Sequence, residues 1–220
     1  MSLRIHVPLV LVLCAVLSGS TRSQEPGRLT LADLPAAAQK TIKEQSVGGT
    51  LRTLWTGHNK GEKVYGAVIV TSGKRKEVVV DSAGKVVDLQ QEVAVEALPA
   101  AVRKTVQGQT RGATLLSVSK EIENGIVRYE VESRVQGRSR NILIDSAGKV
   151  VEIEEQVTLD SLPAAARARI QKETGQGKVV GVESVTASGK AAIYEAIIEV
   201  AGKRSEIRVA ADGSLLPAEK

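Results

Sequence analysis

Two kinds of apolar spacing alternate along the chain from residue 29 onwards. Stretches that follow a Leu-Pro pair place apolar residues four positions apart, as at Leu98, Val102 and Val106, and this spacing predicts a short amphipathic helix. The stretches between them alternate apolar with polar residues, as in 127–134, where the sequence is VRYEVESR. A period of two predicts β-strands that are covered on one face and solvated on the other.

This helix-and-strand pattern occurs three times, at an offset of 64 residues between the first two copies. The heptapeptide DSAGKVV stands unchanged at 81–87 and at 145–151. Four strand-like segments follow each predicted helix, joined by turns rich in Gly, Asn and Asp. We therefore predict an α+β fold of three tandem repeats, each a short helix packed on a four-stranded antiparallel sheet. The predicted first, second and third copies are residues 29–93, 94–157 and 158–220.

The N-terminus has the pattern of an export signal. Arg4 precedes an apolar stretch at 7–17, and Ser18 and Ser20 fit the small residues that signal peptidase requires. We predict a signal peptide at 1–20, cleaved after Ser20, and hence a periplasmic or secreted protein with no transmembrane segment after cleavage. The alternative, a lipid on Cys14, is disfavoured because the three residues before it place a bulky Leu where a small residue is required.

Composition narrows the classes of function. Without residues 1–20, the chain has no cysteine and a single histidine, His58, which excludes disulfides and the usual Cys and His zinc sites. With no Phe, one Trp and three Tyr, the cores must be aliphatic, and aromatic platforms for single-stranded nucleic acid are not expected. The net charge of +5 falls to +4 with the loss of Arg4 and is spread along the chain, so we expect no nucleic-acid partner.

Three motifs that suggest chemistry are better explained as structure. Ser117 and Lys120 have the Ser-x-x-Lys spacing of serine β-lactamases, but they fall in a predicted strand, where residues three apart face opposite sides. His58 is predicted in an exposed hairpin turn. The segment 81–84 offers one carboxylate, too few for a calcium loop, and is predicted to be a tight turn. We expect no catalytic residues, no cofactor and no metal site.

The order of features within a copy adds a resemblance to a known family. After the Leu-Pro helix and a glycine break come a strand with Tyr129-Glu130-Val131, then Gly137-Arg138, then a strand that ends at Asp145. This order resembles the PepSY-like repeat family, also called β-lactamase-inhibitor-like, in three tandem copies. The resemblance implies a secreted or periplasmic protein whose sheet binds another protein. The first copy departs from the pattern with Tyr65-Gly66-Ala67, and the third has Ala210 in place of the aspartate.

The sharpest anomaly is an apolar patch on the predicted outer face of the first copy, the sheet face opposite the helix. A Trp within an exposed apolar patch is typical of protein-binding surfaces. The alternative is that this patch packs on another part of the chain or on a second subunit. Its residues are Trp55, Val64, Val68, Val70 and Val79, where the second copy is mainly polar.

Basic residues recur at the tip between the second and third strands of each copy. They form a candidate anion-binding set, suited to an acidic protein, an anionic polymer or membrane lipid. The alternative is a solvated hairpin end in which charge protects the sheet from aggregation. The residues are Lys74, Arg75, Arg138, Lys203 and Arg204.

These observations predict an exported, non-enzymatic repeat protein that binds another envelope or secreted protein through its sheet. A modulating or inhibiting role toward a peptidase or another envelope enzyme is the expected activity. The alternative function is a structural or ligand-buffering envelope protein that holds anionic or small-molecule material at the basic tips.

Overall fold

The computed structural model describes residues 29–59, 61–123 and 125–217. A short 3-10 helix and an α-helix open each copy and are followed by four strands. The α-helices are α1 (Ala36–Gln45), α2 (Ala100–Gln109) and α3 (Ala164–Thr174). The predicted signal peptide at 1–20, with Cys14, lies outside the described residues, as do residues 218–220 of the third copy.

The strands have similar lengths in the three copies, apart from the last one. The first copy contains β1 (Thr50–Asn59), β2 (Glu62–Thr71), β3 (Lys74–Asp81) and β4 (Val86–Glu92). The second contains β5 (Thr114–Glu123), β6 (Ile126–Val135), β7 (Arg138–Asp145) and β8 (Val150–Gln156). The third contains β9 (Lys178–Ala187), β10 (Ile193–Val200), β11 (Lys203–Ala210) and β12 (Leu215–Leu216).

The described strands form a 12-stranded sheet in which strand order follows sequence order. The α+β class with antiparallel pairing is thus confirmed. The four strands of a copy are consecutive members of this sheet rather than a separate sheet, because β4 pairs with β5 and β8 with β9. Within the described ranges the chain divides into two compact units, one with residues 29–73 and 77–87 and the other with residues 74–76 and 88–217.

The helices bury the apolar faces that the sequence predicts. In the first copy Leu34, Ala38 and Ile42 are at most 4% exposed, which fits their spacing of four residues. Buried clusters join helix and strands in the other two copies. The second-copy cluster is Leu98, Val102, Val106, Val118, Tyr129, Val131, Ile142 and Ile144, and the third-copy cluster is Leu162, Ala166, Ile170, Val182, Ala196 and Val209.

The repeated DSAGK turn fixes the sheet to the helix. Oδ1 of Asp145 accepts hydrogen bonds from the backbone N–H groups of Ala147 and Lys149, both at 2.9 Å. Gly148 then lies against the helix, since a Cβ atom on it would be 2.8 Å from the carbonyl carbon and oxygen of Ala101. The Gly148 carbonyl accepts a 2.6 Å hydrogen bond from the hydroxyl of Thr105. The segment is therefore a turn, as predicted, and it also forms a contact between the sheet and the helix.

Two local features differ from the sequence-based expectations. His58 lies within β1, opposite Lys63, and not in the hairpin turn. The fourth strand of the third copy has only two residues, because Pro217 follows Leu216 and proline has no N–H to give to a ladder.

We predict that Gly148→Ala destabilises the protein more than Gly137→Ala. Both glycines have positive φ, +86° and +83°, so each substitution costs about 1 kcal/mol in backbone strain. Only at Gly148 does the added methyl group also meet the backbone of a helix, which raises the expected total to about 3 kcal/mol. Denaturant unfolding of the two variants checks this, and equal losses would contradict the proposed helix contact.

Candidate binding face of the sheet

The outer face of the sheet carries Trp55 in the first copy. In the second copy, Ser119 and Glu130 are opposed across β5 and β6 and alternate with the residues buried under α2. Trp55 and Gly66 are their counterparts 64 residues earlier and are opposed across β1 and β2 in the same way. Both therefore lie on the face that is turned away from the helix.

The indole of Trp55 is held in place by residues of its own copy. A Cβ atom on Gly66 would lie 1.9 to 2.4 Å from three atoms of the indole, so only glycine leaves room for the ring. The indole N–H donates a 3.1 Å hydrogen bond to Oε1 of Glu77, a residue that is 8% exposed. Trp55 itself is half-buried. The ring thus has a fixed position while part of it stays accessible.

Sequence reasoning named Trp55 but missed the two residues that position it. Gly66 stands in the strand motif where the second copy has Glu130, and this loss of a side chain opposite a Trp was the available signal. Glu77 offered none, because alternation alone does not show which outer-face residue an indole N–H reaches. Gly66, in the Tyr65-Gly66-Ala67 segment that departs from the Tyr-x-Val pattern, therefore leaves room for the ring.

Burial divides the predicted patch into two groups. Val64 and Val79 are only 2% and 1% exposed, so neither is accessible to a partner in this structure. Trp55, Val68 and Val70 are half-buried and accessible in part. The expectation of five exposed apolar residues is therefore corrected to three accessible ones, because the outer face of the first copy is itself partly covered.

The same outer-face positions have a different chemistry in each copy. The third copy has one additional residue in its first hairpin, so counterparts beyond it are 65 residues after those of the second copy. The first row across the strands is apolar, the second is mixed and the third is charged. The rows are Trp55, Gly66 and Val79; Ser119, Glu130 and Leu143; and Glu183, Glu195 and Arg208.

The charged row of the third copy centres on Glu195. It lies opposite Glu183 of β9 and Arg208 of β11, and its Oε1 accepts a 2.8 Å hydrogen bond from Nε of Arg208. Burial raises the pKa of Glu195 to about 7, although the charge of Arg208 opposes this rise. The carboxylates of Glu206 and Glu154 add to the increase by repulsion. This face of the third copy is therefore an ion-pair surface with one carboxyl group poised near neutral pH.

The basic tips are exposed but do not form one cluster. Lys74, Arg75, Arg138, Lys203 and Arg204 all lie at the solvent surface. Arg138 and Lys203 begin β7 and β11, which are four strands apart, or about 19 Å at the usual strand spacing. In the third copy Nε of Arg204 is 3.1 Å from Glu199, which neutralises part of that tip.

Ser117 and Lys120, the pair with Ser-x-x-Lys spacing, make contacts within the sheet. The hydroxyl of Ser117 donates a 2.8 Å hydrogen bond to Oε2 of Glu132, and Lys120 pairs across the strand with Tyr129, which is buried under α2. Over residues 29–59, 61–123 and 125–217, no group of three or more His, Cys, Asp or Glu is arranged to hold a metal ion. The same residues contain no helix of the length and apolar character that a bilayer span requires.

Comparison with known proteins gives structural neighbours only. No family model matches the chain, and no curated protein matches it in sequence. It is similar to a DUF2874 family protein from Bacteroides uniformis, with 18% identity and a TM-score of 0.44 over 55% of this chain and 88% of the other. A BLIP-like protein from Bacteroides fragilis shares 17% identity, with a TM-score of 0.43 over 56% and 86%. A protein from Bacteroides eggerthii, described provisionally as periplasmic, shares 16% identity, with a TM-score of 0.46 over 56% of this chain and 88% of the other.

We predict that Glu195 makes the protein less stable as the pH rises from about 5 to 8. A carboxyl group whose pKa is higher in the folded state binds its proton more tightly there, so stability is lost as the pH passes through that pKa. Glu195→Gln should remove this loss, worth about 1 kcal/mol after allowance for partial exposure. Thermal unfolding at pH 5 and pH 8 measures it.

The matched control for this experiment is Glu96→Gln, at an exposed position on a 3-10 helix. This variant should keep the pH dependence of the parent chain. If Glu195→Gln also keeps the pH dependence of the parent chain, the carboxyl group of Glu195 is charged throughout that range. The raised pKa of Glu195 is then wrong.

Proposed function

We propose that this protein is exported and binds another envelope or secreted protein through the outer face of its first copy, without catalysing a reaction. The half-buried indole of Trp55 over Gly66 is the observation on which the proposal rests. The three copies would act as tandem PepSY-like repeats, and the periplasm or the exterior is the location that the N-terminal segment indicates. By covering part of its partner, the protein would modulate or inhibit a peptidase or another envelope enzyme.

The geometry of Trp55 supports a binding role for energetic reasons. Tryptophan is among the residues most enriched at the points that contribute most to protein–protein affinity. An indole that already has a glycine beneath it and a hydrogen bond to Glu77 loses little freedom when a partner covers it. Val68 and Val70 extend the accessible apolar area along the neighbouring strand.

The contrast between the copies supports the first copy as the binding one. All three present the same strand positions on the outer face, but Ser119 and Glu183 replace Trp55 in the other two. Charged residues are depleted at the centres of protein interfaces, and the third copy has Glu195 and Arg208 at the centre of its row. Burial raises the carboxyl pKa of Glu195, and the ion pair with Arg208 opposes this rise.

We predict that Val68→Glu weakens partner binding at least tenfold without unfolding the chain. A carboxylate beside Trp55 would have to be desolvated in the complex, which opposes binding. The fold should tolerate this change, because the second copy has Glu132 at the same position. Affinity capture from an envelope extract, followed by calorimetry with the captured protein, measures the effect.

Ile197→Glu is the matched control, because Ile197 is the counterpart of Val68 in the third copy and is 43% exposed. It should leave binding within about twofold of the parent chain. Equal losses from the two variants would remove the preference for the first copy. Full binding by Val68→Glu would exclude this face altogether.

A further inference from the structure

No described strand pairs with the edge of β1 that faces away from β2. Among the described strands β1 pairs with β2, and it stands at one end of the strand order. A strand at the end of a sheet presents a row of backbone N–H and C=O groups that can bind an additional strand. The corresponding edges of β5 and β9 each pair with another strand, and these pairs indicate which kind of strand suits the edge of β1.

The last strand of the preceding copy covers the edges of β5 and β9. Residues 119–123 of β5 pair with 88–92 of β4, and residues 183–187 of β9 pair with 152–156 of β8. The carbonyl groups of Val118 and Val182 then accept hydrogen bonds from the N–H groups of Val93 and Val157, at 2.8 and 2.9 Å. By the same offset the corresponding segment of the first copy is Leu54–Asn59.

Alternation of the ladder identifies the backbone groups on the free edge. Because Val118 bonds toward the preceding strand, every second residue of β5 does so too. The counterparts in the first copy are Leu54, Thr56 and His58, whose N–H and C=O groups point away from β2. The intervening residues, including Trp55, direct their backbone groups to β2.

Side-chain burial along this segment is lower than in the other copies. Val118 and Val182 are 2% and 3% exposed, whereas their counterpart Leu54 is only half-buried. Thr56 and His58 are exposed, although Lys120 and Ile122 at the same positions of β5 are half-buried. The edge of β1 therefore has the exposure expected of a strand position with its neighbour missing.

The sequence before the first copy is a poor match to β4, the strand that covers the equivalent edge of β5. The sequence 64 positions before β4, at 22–28, is RSQEPGR, and it has Pro26 and Gly27 where β4 has Gln90 and Gln91. Proline and glycine are both unfavourable there. A second copy of the protein offers β12, but this strand has two residues and is followed by Pro217. A partner of different sequence fits the edge better than either.

We infer that the Leu54–Asn59 edge binds an extended segment of the partner protein as an added antiparallel strand. The inference rests on the proposed function, because it takes the partner to be another protein. β4 and β8 define the chemistry of the segment, since VVDLQQE and VVEIEEQ place an apolar residue among acidic and amide ones. The Leu54–Asn59 segment contains no carboxylate that would repel an acidic strand.

The register places the incoming strand beside the outer-face indole. In the second and third copies, Glu92 faces Ser119 and Gln156 faces Glu183, both counterparts of Trp55. The apolar Leu89 faces Ile122, the counterpart of His58. A bound strand would thus set a polar residue opposite Trp55 and an apolar residue opposite His58.

A synthetic peptide with the β8 sequence VVEIEEQVTL, from residues 150–159, tests the inference on the purified exported chain. The chain has one tryptophan, so the intrinsic fluorescence of Trp55 reports directly on this edge. We expect a saturable fluorescence change and slowed hydrogen exchange at the amides of Thr56 and His58. A peptide of the same composition in scrambled order should give neither, and absence of binding by VVEIEEQVTL overturns the inference.

Thr56→Pro blocks the edge and Thr56→Val is its matched control. The proline removes an N–H group that points away from β2, so the β1–β2 ladder should survive, as edge strands allow. We expect peptide affinity to fall at least tenfold with proline and to stay within about twofold with valine. Circular dichroism and the melting temperature of both variants verify folding.

The two proposals can fail separately. If Val68→Glu abolishes partner capture and Thr56→Pro does not weaken the peptide, the strand edge is wrong and the outer face stands. If the peptide binds through the edge and Val68→Glu has no effect on capture, the edge stands and the outer face is wrong. Dimers in light scattering that Thr56→Pro dissociates would assign the edge to a second copy and overturn the partner assignment.

Discussion

The arrangement of this protein depends on one close backbone contact, between the last turn of each sheet segment and the helix above it. Gly84, Gly148 and Gly213 each have positive φ, and each lies so near Ala37, Ala101 or Ala165 that a methyl group would collide with helix backbone. Thr41 and Thr105 bond to the carbonyl groups of the first two glycines, and Arg169 bonds to the third. The third copy keeps the contact although it has lost the aspartate, so the approach of backbone to backbone is the shared constraint.

Because this contact fixes the helix side of the sheet, the outer side can change its chemistry without changing the fold. The helix side has the same aliphatic pattern in every copy, including Ala38, Val102 and Ala166 at one position. The outer side ranges from an indole on glycine to an ion pair of Glu195 with Arg208. The chemistry of the outer side is therefore a property of single copies.

Sequence periodicity was sufficient for the helices, the strands and their inner faces, because burial on one side of a strand leaves a direct record in alternation. Leu34, Ala38 and Tyr129 are buried as their spacing predicts. Alternation could not show that Val64 and Val79 are buried on the other side, since it assigns a face and not what covers it. Nor could it show that Glu77 binds the indole of Trp55, or that β4 pairs with β5. Those features depend on contacts between residues with no fixed spacing.

The order of the strands has a consequence for how this chain reaches its structure. Each described strand is hydrogen-bonded to its immediate neighbours in the sequence, from β1 through to β12. Contacts that are short in sequence carry a small loop-closure cost and favour rapid folding. Folding can begin at any hairpin and spread in either direction. A whole copy could also be gained or lost by duplication or deletion of its coding segment, without rethreading the strands that remain.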